Sequence, residues 1–243
     1  MTNNITIVSS FISNVNSYRN IEKYIDYGIK LLQNNLQKII FIEKNIYDEY
    51  LSNYNFNNTH FIFIEKKEIY FYNFIDDITN FSIITDNPNK DNMEYFFVMC
   101  YKTEWVKQAI EINFFNSEQF IWIDFGIYHV FNNNLELFNN SLYSLNNKKY
   151  ESVRIGTIWN LDYSYNINIH THICWYFAGG VFGGSKNSLL KFADIMKNKS
   201  ISYIHEYKNI IWEVNLWYLI YKENKELFDT FPSNHNYSII HNY

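Results

Sequence analysis

The 243-residue chain has only two cysteines, two prolines and seven glycines. Cys100 and Cys174 each sit in an apolar or aromatic run, which reads as two buried free thiols rather than a disulfide framework or a zinc site. No proline- or glycine-rich linker, repeat or low-complexity boundary interrupts the chain, so one domain is expected over 1–243. Charge is also scarce. With 19% charged and 47% hydrophobic residues, extended disorder is excluded and a sizeable core is implied. Positive charge shows no excess: the net charge is −5, which argues against long nucleic acid as a partner, because phosphate neutralisation supplies much of that affinity. No apolar run approaches the ~20 residues of a transmembrane helix. Residues 5–12 are apolar but lack a basic leader and a small-residue cleavage site, so a cytosolic, cytoplasmic enzyme is expected.

What is abundant is aromatic and aliphatic residues in short runs. Ile5 to Ile12 reads as a buried strand. Ile21, Tyr24, Ile25, Gly28, Leu31, Leu32 and Leu36 follow at helical spacing, and Lys38 to Glu43 reads as a second strand. Strand, helix, strand with short loops opens a parallel βαβ unit. His60 to Ile64 is a third run, and 70–92 reads as irregular. Lys102 to Asn116 is helical, and Gln119 to Asp124 is the nearly continuous apolar run of a strand covered on both faces. Val153 to Trp159 and Cys174 to Gly184 read as strands, Ser185 to Lys197 and Tyr207 to Tyr221 as helices, and 232–243 as a tail without a pattern of its own. The expected fold class is therefore α/β, with a mostly parallel central sheet flanked by helices.

Three segments carry candidate chemistry. In Trp122-Ile123-Asp124-Phe125-Gly126 a carboxylate follows a buried strand, which places it at the carboxyl edge where open α/β sheets bind ligands. Asp124 is read either as a ligand-facing carboxylate or as a cap for the next turn. The Asp-Phe-Gly tripeptide also occurs in protein kinases, but the chain has no glycine-rich phosphate loop and no His-Arg-Asp segment upstream. Between Trp175 and Ser185 lie four of the seven glycines, costly in a strand unless backbone must approach something closely. In Trp212-Glu213-Val214-Asn215-Leu216-Trp217 a carboxylate interrupts an apolar helix, and the spacing puts Ile210, Glu213, Trp217 and Ile220 on one face. His170 and His172 have strand-like spacing and are expected at the surface. His129 is left open, and His241 near the chain end is either simply exposed or a ligand.

Taken in order, these segments resemble the HtrL/YibB (WlaTC) family of bacterial and viral glycosyltransferase-like proteins. The resemblance covers nearly the whole chain and is most specific at 120–127, 176–184 and 212–217. The glycine-rich segment and the Glu-bearing helix are also similar to those of retaining GT-A enzymes of the blood-group type. The resemblance implies a single GT-A-type nucleotide-sugar-binding domain, with 1–130 as the nucleotide-binding half and 131–243 as the acceptor-side half with its tail. The expected partners are a nucleotide-sugar donor, a UDP-sugar first of all, and a glycan acceptor. By the same analogy Ser9, Ser10 and Phe11 would contact base and ribose, Arg19 and Lys102 would neighbour the diphosphate, and Gly179 and Gly180 would line the donor sugar. Glu213 would be the catalytic carboxylate beside Asp124. Mn²⁺ or Mg²⁺ is the implied cofactor. Because Gly126 stands where such enzymes usually carry a second Asp, His241 is the implied partner of Asp124 as metal ligand.

Two other functions fit parts of the chain. Asp48 with Glu65 and Lys67 matches a metal-dependent nuclease pattern made of three common residues. A glycosyltransferase-like protein that binds saccharide or a protein partner without turnover would equally suit the aromatic richness.

Overall fold

A computed structural model describes residues 5–12 and 20–243. β1 (Ile5–Phe11), α1 (Ile21–Leu32) and β2 (Gln37–Ile42) form the expected parallel βαβ unit, with Val8 opposite Ile39. Asn20 starts α1 by accepting from the Glu22 amide. α2 (Lys44–Ile46) runs into a π-helical turn at Tyr47–Leu51, and β3 (Thr59–Phe63) then pairs parallel to β2. A 3₁₀ stretch at Tyr70–Asp77 precedes α3 (Met93–Cys100). This helix has no sequence signature, because Phe96, Phe97, Val98 and Cys100 are all buried and no polar face marks a period.

α4 (Lys102–Ile112) covers the sheet and is closed by Asn113 in the left-handed conformation, after which β4 (Gln119–Ile123) pairs parallel to β1. α5 (Leu135–Ser144) and β5 (Val153–Thr157) follow, and then β6 (Phe177–Ser185), which runs antiparallel to both β4 and β5. Ser185 caps α6 (Lys186–Tyr207), which continues ten residues beyond the expected end at Lys197.

Lys208 closes α6 at φ 52, and Asn209–Trp212 are buried but not helical, so α7 (Glu213–Glu223) starts six residues later than its periodicity suggested. Ile210 is therefore off the helix. Glu213 instead takes the first helical position, where the helix dipole favours a carboxylate. β7 (Phe228–Pro232), parallel to β5, ends where the expected patternless tail begins, and the tail itself holds α8 (Ser238–His241).

Among the described residues the sheet has the order β3-β2-β1-β4-β6-β5-β7, and β6 is its one reversed strand. The protein is thus α/β with a mostly parallel sheet, and core clusters lie on its two faces. β1 and β4 leave the sheet at the same edge, because Val8 pairs with Trp122. That edge carries Ser10, Phe11 and Asp124. Cys100 and Cys174 are buried free thiols. No described helix is long and apolar enough to cross a membrane.

Candidate active site at the carboxyl edge of the sheet

Asp124 follows β4 and is tied down at both ends. Its amide donates to the Gly180 carbonyl at 2.9 Å, and its Oδ1 accepts from the Trp122 indole at 2.7 Å. The indole is fixed by a ring stack through the core, parallel to Trp105 at 5.9 Å and Phe182 at 6.3 Å. The carboxylate is about one-third exposed, so it faces outward from a rigid base.

Lys102, the first residue of α4, brings its ammonium to the same point. Nζ lies 3.0 Å from Asp124 Oδ1, 3.0 Å from Glu213 Oε1 and 3.0 Å from the Gly179 carbonyl. Lys102 and Glu213 are both only 2% exposed, which makes this a buried ion pair whose net worth depends on complete hydrogen bonding. On the lysine side the bonding is complete, because three N–H donors meet three oxygens. Burial alone would lower the Lys102 pKa, but the two carboxylates more than offset that and push it up. On the carboxylate side, burial outweighs what Lys102 returns, and Glu213 is held above the usual carboxylate range. Its Oε2 is buried with no hydrogen-bond partner among the described residues.

The four glycines of β6 divide into two pairs. A Cβ on Gly179 would stand 2.6 Å from Glu213 Oε1. One on Gly180 would stand 3.0 Å from Ile127 and 3.5 Å from Asp124 Oδ2. Both are partly open and line the cluster. Gly183 and Gly184 are buried packing positions, against the Tyr243 hydroxyl and the Phe120 carbonyl and against the Ser152 carbonyl respectively. The close-approach reading therefore applies to one half of the segment and the tight-packing reading to the other.

Asp124, Lys102, Gly179, Gly180 and Glu213 thus come together from four separate segments. Lys102 does so with a different task, since its ammonium is engaged by protein oxygens rather than left free for a diphosphate. Ser9 is fully buried with its hydroxyl unpartnered among the described residues, while Ser10 and Phe11 are half-exposed. Phe11 stacks on Phe125 at 5.2 Å. Arg19 lies outside the described residues.

His241 does not join the group. Ile239 is the residue of α8 that faces Gly180, within 3.1 Å of a Cβ placed there. Two residues on, about 200° around a helix, His241 is exposed, with its ring edge-on to Tyr237 at 5.8 Å. Position 126 is also closed to a second acid, because a Cβ there would meet the Tyr24 ring at 2.4 Å. Among the described residues no three His, Cys, Asp or Glu side chains gather as a metal site. The side chains present thus do not fit the Asp124–His241 divalent-metal centre that the resemblance implied.

The remaining candidates are occupied elsewhere. His170 bonds the Tyr203 hydroxyl at 2.9 Å, His172 contacts Thr171 at 3.0 Å, and His129 contacts the Gly126 carbonyl at 2.7 Å. The first two are half-buried rather than on the surface. Asn215 is a structural clamp that binds the Cys174 amide and the carbonyls of Ile169 and His172. The nuclease pattern dissolves into surface pairs, Lys44–Asp48 at 2.9 Å and Lys67–Glu65 at 2.7 Å.

One part of the site had no sequence signal. Trp175 stands edge-to-face with Trp212 at 5.4 Å and with His235 at 4.4 Å, and Lys90 lies over Trp212 at 4.6 Å and over Tyr95 at 5.4 Å. Burial pushes the Tyr95 phenol well above its ordinary pKa, and the charges of Tyr24, Glu213 and Asp124 add to the shift. This aromatic wall draws on four distant segments, which no local pattern could join.

A mostly parallel α/β sheet with a shared ion cluster at its carboxyl edge defines the class of protein. Residues 3–236 match the family described as "Bacterial protein of unknown function (HtrL_YibB)", and the chain belongs to that family. No curated protein matches it. Among solved structures, one that is similar is a 4-diphosphocytidyl-2C-methyl-D-erythritol synthase from Anaerococcus prevotii DSM 20548. The identity is 11% and the TM-score 0.44, with 96% of this chain and 88% of that chain covered.

Proposed function

We infer that the protein is a GT-A-type glycosyltransferase that moves a sugar from a nucleoside-diphosphate-sugar donor, a UDP-sugar first of all, to a saccharide or other hydroxyl acceptor. The observation that carries this reading is the meeting of Asp124, Glu213 and Gly179 around one buried ammonium at the carboxyl edge of the sheet. Residues 1–130 would then hold the nucleotide and 131–243 the acceptor side.

An open groove lined by Glu43, Lys44, Phe63, Glu65 and Lys66 lies along the same edge, at the ends of β2 and β3. It begins two strand spacings from Asp124, about 10 Å, a distance a nucleoside diphosphate can span. Ser10 and Phe11 lie between the two. Gly179 and Gly180, both partly open, would line the donor sugar beside Glu213 and Asp124, and Trp175 with Tyr95 suits the apolar face of a pyranose. A buried carboxyl with a raised pKa suits a general base towards an acceptor hydroxyl, and placed behind the anomeric carbon it would suit a nucleophile. In the first case the acceptor oxygen bonds the anomeric carbon as the bond to the nucleoside diphosphate breaks, and the acceptor proton goes to Glu213. In the second, Glu213 expels the nucleoside diphosphate to form a glycosyl ester. The acceptor oxygen then displaces the Glu213 carboxylate, and the acceptor proton passes to the departed diphosphate.

The test is a thermal-shift series with UDP, GDP and dTDP and their sugars, followed by donor hydrolysis without acceptor. The expected result is stabilisation by at least one nucleotide, slow hydrolysis of its sugar, and loss of turnover in Asp124→Ala with the fold intact. No shift with any nucleotide would sink the reading. Binding without turnover is the second reading, favoured by the engagement of both carboxylates with Lys102. Stabilisation by a nucleotide-sugar that is never hydrolysed or transferred would select it.

A further inference from the structure

The three oxygens around the Lys102 ammonium are the kind of donor set a hard cation takes, two carboxylates and a backbone carbonyl. Each is 3.0 Å from Nζ, and the lysine stem is buried, so the ammonium is a fixed part of the site. The positions that would complete a divalent centre at Asp124 are taken by other groups. Tyr24 fills the space beside Gly126, and α8 presents Ile239 rather than His241 to Gly180. Asp124 Oδ1 already accepts from both Trp122 and Lys102, which leaves Oδ2 as its one outward oxygen.

We propose that Lys102 is the resident cation of this site: its ammonium does between Asp124 and Glu213 what a divalent ion does elsewhere, and the protein takes up no divalent metal there. A corollary, which rests on the donor reading above, is that nucleotide binding needs no metal. A second corollary is chemical. Truncating Lys102 leaves Asp124, Glu213 and the Gly179 carbonyl around a vacated, ion-sized volume, and that volume should bind a metal.

The experiment is a titration with Mn²⁺ alone, with free Mn²⁺ read by electron paramagnetic resonance. Wild type should leave Mn²⁺ free. Lys102→Ala should take up one equivalent at least about tenfold more tightly than wild type, and Asp124→Asn in that background should abolish the uptake. Stoichiometric uptake by wild type that is lost in Asp124→Asn overturns the proposal, and so does a folded Lys102→Ala that binds no Mn²⁺. Should Lys102→Ala fail to fold, the wild-type and Asp124→Asn titrations decide by themselves. A separate arm measures the thermal shift of wild type by UDP with EDTA and with Mn²⁺. Equal shifts support the corollary, and a shift that appears only with Mn²⁺ refutes it. No shift in either counts against the donor reading while the Mn²⁺ titration still stands.

Discussion

Lys38 and Lys102 are both buried lysines, one at the start of β2 and one at the start of α4, and their surroundings differ in one respect. The Lys38 ammonium donates to the backbone carbonyls of Asn34 and Leu36, which are dipoles. The Lys102 ammonium meets one carbonyl and two carboxylates. Burial lowers the Lys38 pKa to about 7, whereas Lys102 is pushed above the ordinary lysine range. Hydrogen bonding alone therefore does not keep a buried ammonium charged; opposite charge does. The first lysine is a packing element able to lose its proton, and the second is a fixed positive charge around which a site is built.

The largest expected effect breaks the symmetry between the two. Lys102→Met should cost roughly 3–5 kcal/mol in urea unfolding, because it strands buried carboxylates. Lys38→Met leaves only two carbonyl dipoles without their donor and should cost less, about 1–3 kcal/mol at pH 7. Equal losses would mean that both lysines are held by packing alone.

The pH dependence sharpens the contrast. Between about 7 and 10.5 the unfolded chain binds a proton at Lys38 that the folded chain has released. Stability should therefore rise with pH across that window, by up to about 1.4 kcal/mol per pH unit from this group, and be flat below it. Lys102 acts in the opposite sense: its contribution is present throughout that window and is lost only as pH rises through its raised pKa. Unfolding curves at pH 7, 7.75 and 8.5, below the range in which the buried thiols Cys100 and Cys174 add an opposing slope, should show the rise in wild type and its absence in Lys38→Met. A slope that survives Lys38→Met would assign it to another group.

Glu213→Gln should cost less than removal of Lys102, about 1–3 kcal/mol, because the ammonium keeps Asp124 and the Gly179 carbonyl. Donor hydrolysis should nevertheless disappear. A destabilisation as large as that of Lys102→Met would show that Asp124 contributes little to holding the charge. The smallest effect belongs to Trp122→Phe, which keeps most of the ring stack but deletes the indole donor to Asp124 Oδ1, at a cost of about 1 kcal/mol. A full loss of turnover in that variant, with stability near wild type, would make the indole bond a determinant of the Asp124 pose.

Much of this site could be read from residue order. Asp124 ends the apolar run Phe120–Ile123, and Glu213 interrupts another, so each is legible as a carboxylate where desolvation is costly. The glycines of β6 stood out by number, yet only contact geometry separates Gly179 and Gly180, beside the carboxylates, from Gly183 and Gly184 in the packing. His241, the implied metal-ligand partner of Asp124, is carried away from Gly180 by the turn of α8, and the histidine that packs near the site is His235, against Trp175. α3 is not legible in the sequence because a helix buried all round has no amphipathic period, and the apolar pattern of α7 begins before the helix does because buried Asn209–Trp212 continue it without being helical.

The sequence by itself determined the opening βαβ unit, the strand that delivers Asp124 and the family to which the chain belongs, because hydrophobic period and short motifs are local properties. Only the tertiary structure decided the reversal of β6, the Tyr24 ring that closes position 126, and the joining of Lys102 to two carboxylates. Glu213 and Lys102 lie 111 residues apart, and local pattern carries no information on contacts over that separation. Those contacts were settled by which strand edges and helix ends could be buried together with every hydrogen of one ammonium satisfied.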